Sequence, residues 1–205
     1  LQARVAGTFL EGAPVVPVSS VTGEGLDALR ERLVATADDL AAPTDRGRAR
    51  LWVDRVFTAT GSGTVVTGTL TGGSLAVDDA VEVGPRRRSA RGRGLQSNGH
   101  DLLAVKPGGR VAIALSGIDR AEVERGDAVI SPGRWWHTTT VDASLTVLSE
   151  LRHDLSRRGA FTWHVGSRAV PVRIRVLGAE ALSPGAMGAV RIDPQPCHES
   201  HTRCL

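Results

Sequence analysis

The chain has 205 residues, 41% hydrophobic content and a formal net charge of +3, enough length and apolar material for one or two packed domains. Aromatics are scarce (three Phe, four Trp and no Tyr), so valine and alanine must do most of the packing, which favours small barrels and sheets. No apolar run approaches the ~20 residues that span a bilayer, and no basic-then-apolar signal segment opens the chain. Both cysteines, Cys197 and Cys204, lie near the end, which excludes a disulfide framework. A cytoplasmic location without membrane contact is the expectation, and Leu1 in place of a methionine suggests a fragment.

Charge is uneven along the chain: −4 over residues 1–45, +5 over 46–134 and +2 over 135–205. Lys106 is the single lysine beside 24 arginines. Arginine's planar fork suits phosphate recognition, although a compositional preference for arginine explains the ratio equally well.

In chain order, Val15-Val16-Pro17-Val18 reads as a short buried strand. Ser19–Gly25 then turns into a helix over Leu26–Leu40, where Leu26, Leu29, Leu33 and Val34 recur at helical spacing, with Ser20 or Thr22 near its N-cap. Such a strand–loop–helix unit cannot bury both sheet faces by itself. It reads as the end of a larger α/β domain, spanning residues 1–43, and residues 44–48 read as a linker.

Two β-rich runs, Leu51–Ala59 and Thr64–Thr71, flank Thr60-Gly61-Ser62-Gly63 and predict a hairpin. Turn signals follow at Gly72-Gly73, Val77-Asp78-Asp79, Ser97-Asn98-Gly99-His100, Lys106-Pro107-Gly108-Gly109 and Arg125-Gly126-Asp127, so residues 49–133 are expected to form a β-barrel. Strands over Thr139–Leu148, Phe161–His164, Ala169–Gly178 and Gly188–Ile192 predict a second barrel over 134–193 that lacks a closing strand. Residues 194–205 carry no strand pattern and read as a disordered or aberrant tail. Its Cys197-His198-Glu199-Ser200-His201-Thr202-Arg203-Cys204 run holds four zinc-capable side chains, but the adjacent Cys-His pair fits one tetrahedron poorly, and no metal site is expected.

Gly63-Thr64-Val65-Val66-Thr67-Gly68-Thr69 imitates a phosphate-binding loop only superficially, since that loop needs Lys and then Ser/Thr after its second glycine. Neither an Asp-x-x-Gly switch motif nor an Asn-Lys-x-Asp guanine motif is present. The run Arg86-Arg87-Arg88 with Arg91 and Arg93 is open to two readings, nucleic-acid phosphate contact or solvated loop charge. Trp135-Trp136 is expected to pack at the barrel–barrel junction, with base stacking as the alternative. His137, His153 and His164 carry no ligand spacing.

Residues 49–73 closely resemble the opening of the second-domain barrel of translational GTPases, which receives the aminoacyl end of a transfer RNA. The variant Val53-Asp54-Arg55-Val56-Phe57 is most similar to the selenocysteine-specific elongation factors, where elongation factor Tu reads Ile-Glu-Asp-Val-Phe. Gly94-Leu95-Gln96, Pro107–Ala112 and Arg125-Gly126-Asp127 match later barrel strands, and Trp163–Ser167 with Ala169–Gly178 resembles the third domain. Val18–Leu26 resembles the last guanine-binding motif and final helix of the GTPase domain. Asp78-Asp79 departs from the more usual Gly-Asp turn.

The resemblance implies a mainly β fold: two consecutive small β-barrels, like domains II and III of elongation factor Tu, preceded by a strand–helix remnant of an α/β GTPase domain. It implies a factor that binds selenocysteinyl-tRNA and delivers it to the ribosome. Asp54, Arg55 and Arg110 would form the selenocysteinyl pocket, and Ser19, Ser20 and Val21 would contact guanine. GTP and Mg serve the complete family protein; this chain alone, without the phosphate-binding loop, is expected to bind neither and to be inactive as a GTPase. An mRNA selenocysteine-insertion hairpin would be read only by absent C-terminal winged-helix domains. The alternatives are a fragment of another translational GTPase, such as an elongation factor Tu-like one, and a non-enzymatic RNA- or protein-binding double barrel.

Overall fold

The computed structural model describes residues 5–195, in two compact units that meet in sequence between Ala42 and Pro43. The Cys/His tail from position 196 onward lies outside the described residues.

The first unit holds helix α1 (Leu26–Asp39), none of whose residues is buried. The expected strand over Val15–Val18 is irregular, because no second strand among the described residues of this unit pairs its backbone groups. The expected side-chain cap is also replaced. Gly25, at φ 76, caps the helix without a side-chain bond, and a Cβ there would sit 2.1 Å from the Pro17 carbonyl oxygen. Only glycine tolerates both the left-handed backbone and that approach. Ser19 and Thr22 instead close the preceding loop, their hydroxyls accepting the N–H groups of Thr22 (3.1 Å) and Glu24 (3.3 Å).

The second unit begins with a barrel. Its strands are β1 (Arg50–Ala59), β2 (Gly63–Thr71), β3 (Leu75–Ala76), β4 (Ala80–Gly84), β5 (Arg88–Ser97), β6 (His100–Leu102), β7 (Ala104–Val105), β8 (Arg110–Ser116) and β9 (Ala128–Ile130). The order β4-β9-β1-β2-β8-β5 closes through a further β4–β5 pairing, while β6 extends β5 and β3 pairs with β7. Closure removes free edges from the six strands and lets every inward side chain meet others. Leu51, Val53, Val66, Leu70, Ile113 and Val129 are fully buried as a result.

The turns fall at the glycine and aspartate signals. At the departure noted above, Asp78 adopts φ 69, a left-handed conformation that favours glycine and that aspartate tolerates. The Asp79 carboxylate steadies this turn by accepting the Ala76 N–H at 2.8 Å. Arg91 and Arg93 lie in β5, not in a loop, and Arg91 donates to the Asp78 carbonyl at 2.6 Å.

The remaining strands are β10 (Val141–Thr146), β11 (Leu155–Ser156), β12 (Phe161–Val165), β13 (Arg168–Val176), β14 (Ala181–Leu182) and β15 (Met187–Pro194). Four form a curled sheet, β10-β15-β13-β12, and β11 pairs with β14. Among the described residues this sheet does not close, leaving β10 and β12 as edges. The pattern missed β11 and β14, since two-residue strands show no alternation.

The sheet docks on the barrel through the β12–β13 turn. The Ser167 hydroxyl donates to the Val53 carbonyl at 2.6 Å, and a Cβ on Gly166 would lie 2.1 Å from the Trp52 ring. Arg168 is 5% exposed and approaches Glu124 (3.4 Å) and Asp127 (3.7 Å).

Candidate functional site

The β1–β2 hairpin sets the geometry of the candidate aminoacyl site. Counting from the turn pairs Ala59 with Gly63 and Arg55 with Thr67. An uninterrupted ladder would then pair Asp54 with Gly68 and point its carboxylate into the apolar interior. A register shift between Val53 and Arg55 prevents this: Val53 takes Gly68, and Asp54 becomes the extra residue of a β-bulge. Gly68 permits the bulge, since a Cβ there would lie 2.0 Å from the Trp52 carbonyl oxygen.

Asp54 therefore serves the outer face. Thr67 donates its hydroxyl to Asp54 Oδ1 at 2.7 Å. Arg110, the first residue of β8, clasps the same carboxylate with both ends of its fork, Nη1 to Oδ2 at 2.6 Å and Nη2 to Oδ1 at 2.8 Å. Fork-to-fork pairing fixes the orientation of both groups. The side chains are 54% (Arg110) and 25% (Asp54) exposed, so the pair's stabilising worth is about 0–1 kcal/mol, as is usual for surface ion pairs.

Arg55 shares this outer face. Its row across the sheet is Arg55–Thr67–Ala112, and that of Arg110 is Trp52–Thr69–Arg110. Ideal strand and residue spacings put the Cα atoms of Arg55 and Arg110 about 12 Å apart, within reach of two long side chains converging over β2. Arg55 is exposed and forms no ion pair or hydrogen bond with the described residues. The site thus offers one cation held by a carboxylate and a second that is unpaired. Thr67 and Gly68 were not singled out in the sequence. Hairpin counting identifies Thr67 opposite Arg55, but nothing local announces the bulge.

Ser19, Ser20 and Val21 sit in the loop before α1. The Ser19 N–H donates to the Glu24 carbonyl at 3.0 Å and its own carbonyl accepts from Gly23 at 2.9 Å, leaving the Ser20 and Val21 side chains outward. The phosphate-loop imitation is strand β2, with the Thr64 hydroxyl donating to the Ile118 carbonyl at 3.0 Å. Among the described residues, no group of three or more His, Cys, Asp or Glu could hold a metal ion, and no helix is long and apolar enough to cross a membrane.

Trp135 donates its indole N–H to the Ala49 carbonyl at 3.0 Å, which holds it on the barrel, whereas Trp136 is 98% exposed. The expectation of packing at the barrel–barrel junction fails for Trp136, which the turn after β9 projects outward.

No family model matches the chain. It is 36% identical over 197 residues to a selenocysteine-specific elongation factor of Desulfomicrobium baculatum, a match that covers 96% of this chain and 31% of that protein. A selenocysteine-specific elongation factor of Methanocaldococcus jannaschii is 27% identical over 169 residues, covering 80% of this chain and 36% of the other. The fold is similar to the apo crystal structure of the translation elongation factor SelB from Methanococcus maripaludis, with a TM-score of 0.80 at 22% identity, covering 95% of this chain and 46% of that one. It is also similar to a bacterial selenocysteine-specific elongation factor, EF-Sec, with a TM-score of 0.72 at 24% identity, covering 87% of this chain and 28% of that one. The chain spans about a third of the length of these curated relatives. In sequence the chain is thus similar to selenocysteine-specific elongation factors, and in fold it is similar to two solved ones.

Proposed function

We propose that this chain forms the tRNA-receiving part of a GTP-dependent cytoplasmic translation factor that binds selenocysteinyl-tRNA for delivery to the ribosome. The observation that carries this reading is the Asp54–Arg110 fork beside an unpaired Arg55 on one barrel face.

A selenol is more acidic than a thiol, whose reference pKa is about 8.5, so near neutral pH it is largely an anion. Arginine stays protonated and cannot shed its charge to escape that anion. Asp54 limits repulsion between the two cations and holds the Arg110 fork, and Arg55 supplies the uncompensated charge. A neutral seryl hydroxyl gains far less from the same groups, which makes the site selective. The exposed Ser20 and Val21 fit the base-contacting edge of a guanine site. The described residues contain no phosphate cradle or metal set, so they do not fit GTP and Mg as a whole. Any mRNA hairpin partner would need further domains.

The test is a titration of the 205-residue chain with selenocysteinyl-tRNA and seryl-tRNA. Arg55→Ala is expected to weaken the first by roughly tenfold or more, since a hydrogen bond to a charged group contributes about 1.5–3 kcal/mol, and the second much less. Arg110→Ala should do the same, because it also frees the Asp54 carboxylate to repel the selenolate. Equal losses for both tRNAs would remove these arginines from the pocket and favour a generic RNA-binding double barrel.

A further inference from the structure

All four tryptophans of this aromatic-poor chain line one cleft where the barrel meets the curled sheet. Trp52 comes from β1, Trp163 from β12, and Trp135 and Trp136 from the segment joining the two. Their roles differ. Trp135 is tied to the backbone of Ala49 in the barrel, and Trp52 lies under Gly166 at the joint. Trp136 covers nothing: an indole left 98% exposed buries almost none of the apolar surface that normally draws it inward.

The cleft is also cationic. The Arg50 guanidinium lies 4.9 Å from the Trp52 ring centroid and 4.2 Å from that of Trp135, with the Arg48 guanidinium 5.1 Å from Trp135. Neither arginine has a carboxylate partner among the described residues, so indole faces alone balance their charge. Burial, and then the neighbouring Arg48, holds the Arg50 guanidinium below the ordinary arginine range, which marks a cation short of a counter-charge. Glu82, which the lining residue His137 contacts through Nε2 at 2.9 Å, is also engaged by Arg87.

The cavity measures about 190 Å³. That is below the ~300–1,000 Å³ of drug-sized sites and equals roughly six liquid-water volumes, the scale of one flat ring system. A helix or folded loop would not enter it. A planar ring with an attached anion matches both the aromatic walls and the unpaired cations.

We propose that this cleft binds an unpaired nucleobase of a single RNA strand, stacked on Trp136, with the flanking phosphates held by Arg48 and Arg50. The cleft shares no lining residue with the candidate aminoacyl site, although Trp52 stands in the same cross-sheet row as Arg110, and it needs no aminoacyl group. Stacking is tolerant of base identity, so it would add affinity to a strand without reading its sequence.

The test uses the 205-residue chain and single-stranded hexaadenylate, hexauridylate and an abasic hexamer of equal charge, followed by anisotropy of a labelled probe. Hexaadenylate is expected to bind best and the abasic strand worst. Trp136→Ala should weaken hexaadenylate roughly fivefold or more while leaving thermal unfolding unchanged, and should bring it level with the abasic strand. Arg48→Ala should lower the slope of log affinity against log salt by about one. Arg55→Ala should leave hexaadenylate binding unchanged even if it abolishes selenocysteinyl discrimination, so the two sites fail independently. Equal binding of hexaadenylate to the parent and Trp136→Ala chains would overturn the proposal. So would an abasic strand binding as tightly as hexaadenylate, or an acidic, aromatic decapeptide binding the cleft where RNA does not.

Discussion

The barrel and the curled sheet are built from similar material, valine- and isoleucine-rich strands with period-two alternation, yet they bury it to different depths. In the barrel, Leu51, Val53, Val66 and Ile113 are at 0% exposure because six strands close around them. In the curled sheet, β13 alternates without a break from Arg168 to Val176, but the edge strands β10 and β12 stay half-buried because no opposite wall of described residues covers them. Hydrophobic alternation gives each strand a core face; closure decides whether that face becomes dry. The sheet compensates by leaning on the barrel through Ser167, Gly166 and Arg168, next to the bulge that presents Asp54.

The comparison is tested most severely in the two cores. Ile113→Ala is expected to fall in the upper part of the 2–5 kcal/mol range for such truncations, and Ile174→Ala, at 9% exposure and beside an open edge, in the lower part. Urea denaturation of both variants measures this. Equal costs would mean that closure adds nothing to burial.

A smaller effect is expected at the joint. Gly166→Ala places a methyl in the Trp52 ring at φ +57, and overpacking of this kind costs about 1–3 kcal/mol. If the sheet depends on the barrel, thermal unfolding followed by indole fluorescence should separate into two steps in this variant and remain closer to one in the parent. A single step shifted as a whole would show that the regions are not independently cooperative.

The mildest effect is expected at Asp127, buried between the two regions. Burial raises its carboxyl above the usual range and outweighs the Glu124 N–H and Arg168, which pull it down. The 3.7 Å gap to Arg168 is too long for a hydrogen bond, so that attraction does not offset desolvation. A raised acid stabilises the fold fully below its unfolded pKa, near 3.8, and that contribution is lost as pH rises through the folded value. Asp142 acts with the opposite sign: hydrogen bonding to Arg191 lowers its carboxyl, so its contribution is lost as pH falls. The stability of Asp127→Asn should therefore gain on the parent as pH rises from about 4 toward neutrality, with Asp142 common to both. Parallel urea midpoints across that range would contradict the burial reading.

Residue identity and spacing alone placed most of the barrel. Glycine, asparagine, aspartate and proline at turns admit backbone conformations that other residues resist, and alternating valines between them leave little choice but strand. The β1–β2 hairpin followed from that punctuation, whereas the pairings between more distant strands did not. Local pattern failed where partners were required: Val15–Val18 had the composition of a strand but no neighbouring strand among the described residues, and β11 and β14 exist only because they meet each other.

The candidate site shows the same division. Asp54, Arg55 and Arg110 were legible as residue types at matching positions, but their arrangement was not. Asp54 and Arg110 stand 56 positions apart, and one extra residue in β1 turns the carboxylate from the interior to the face where Arg110 waits. The gathering of four indoles from three separate segments in one cleft with Arg50 depends equally on the docking of the two regions. Short-range steric preferences write strands and turns into the chain, whereas bulges, closure and docking arise from contacts between distant segments, so only the tertiary fold decided which charges and rings share a surface.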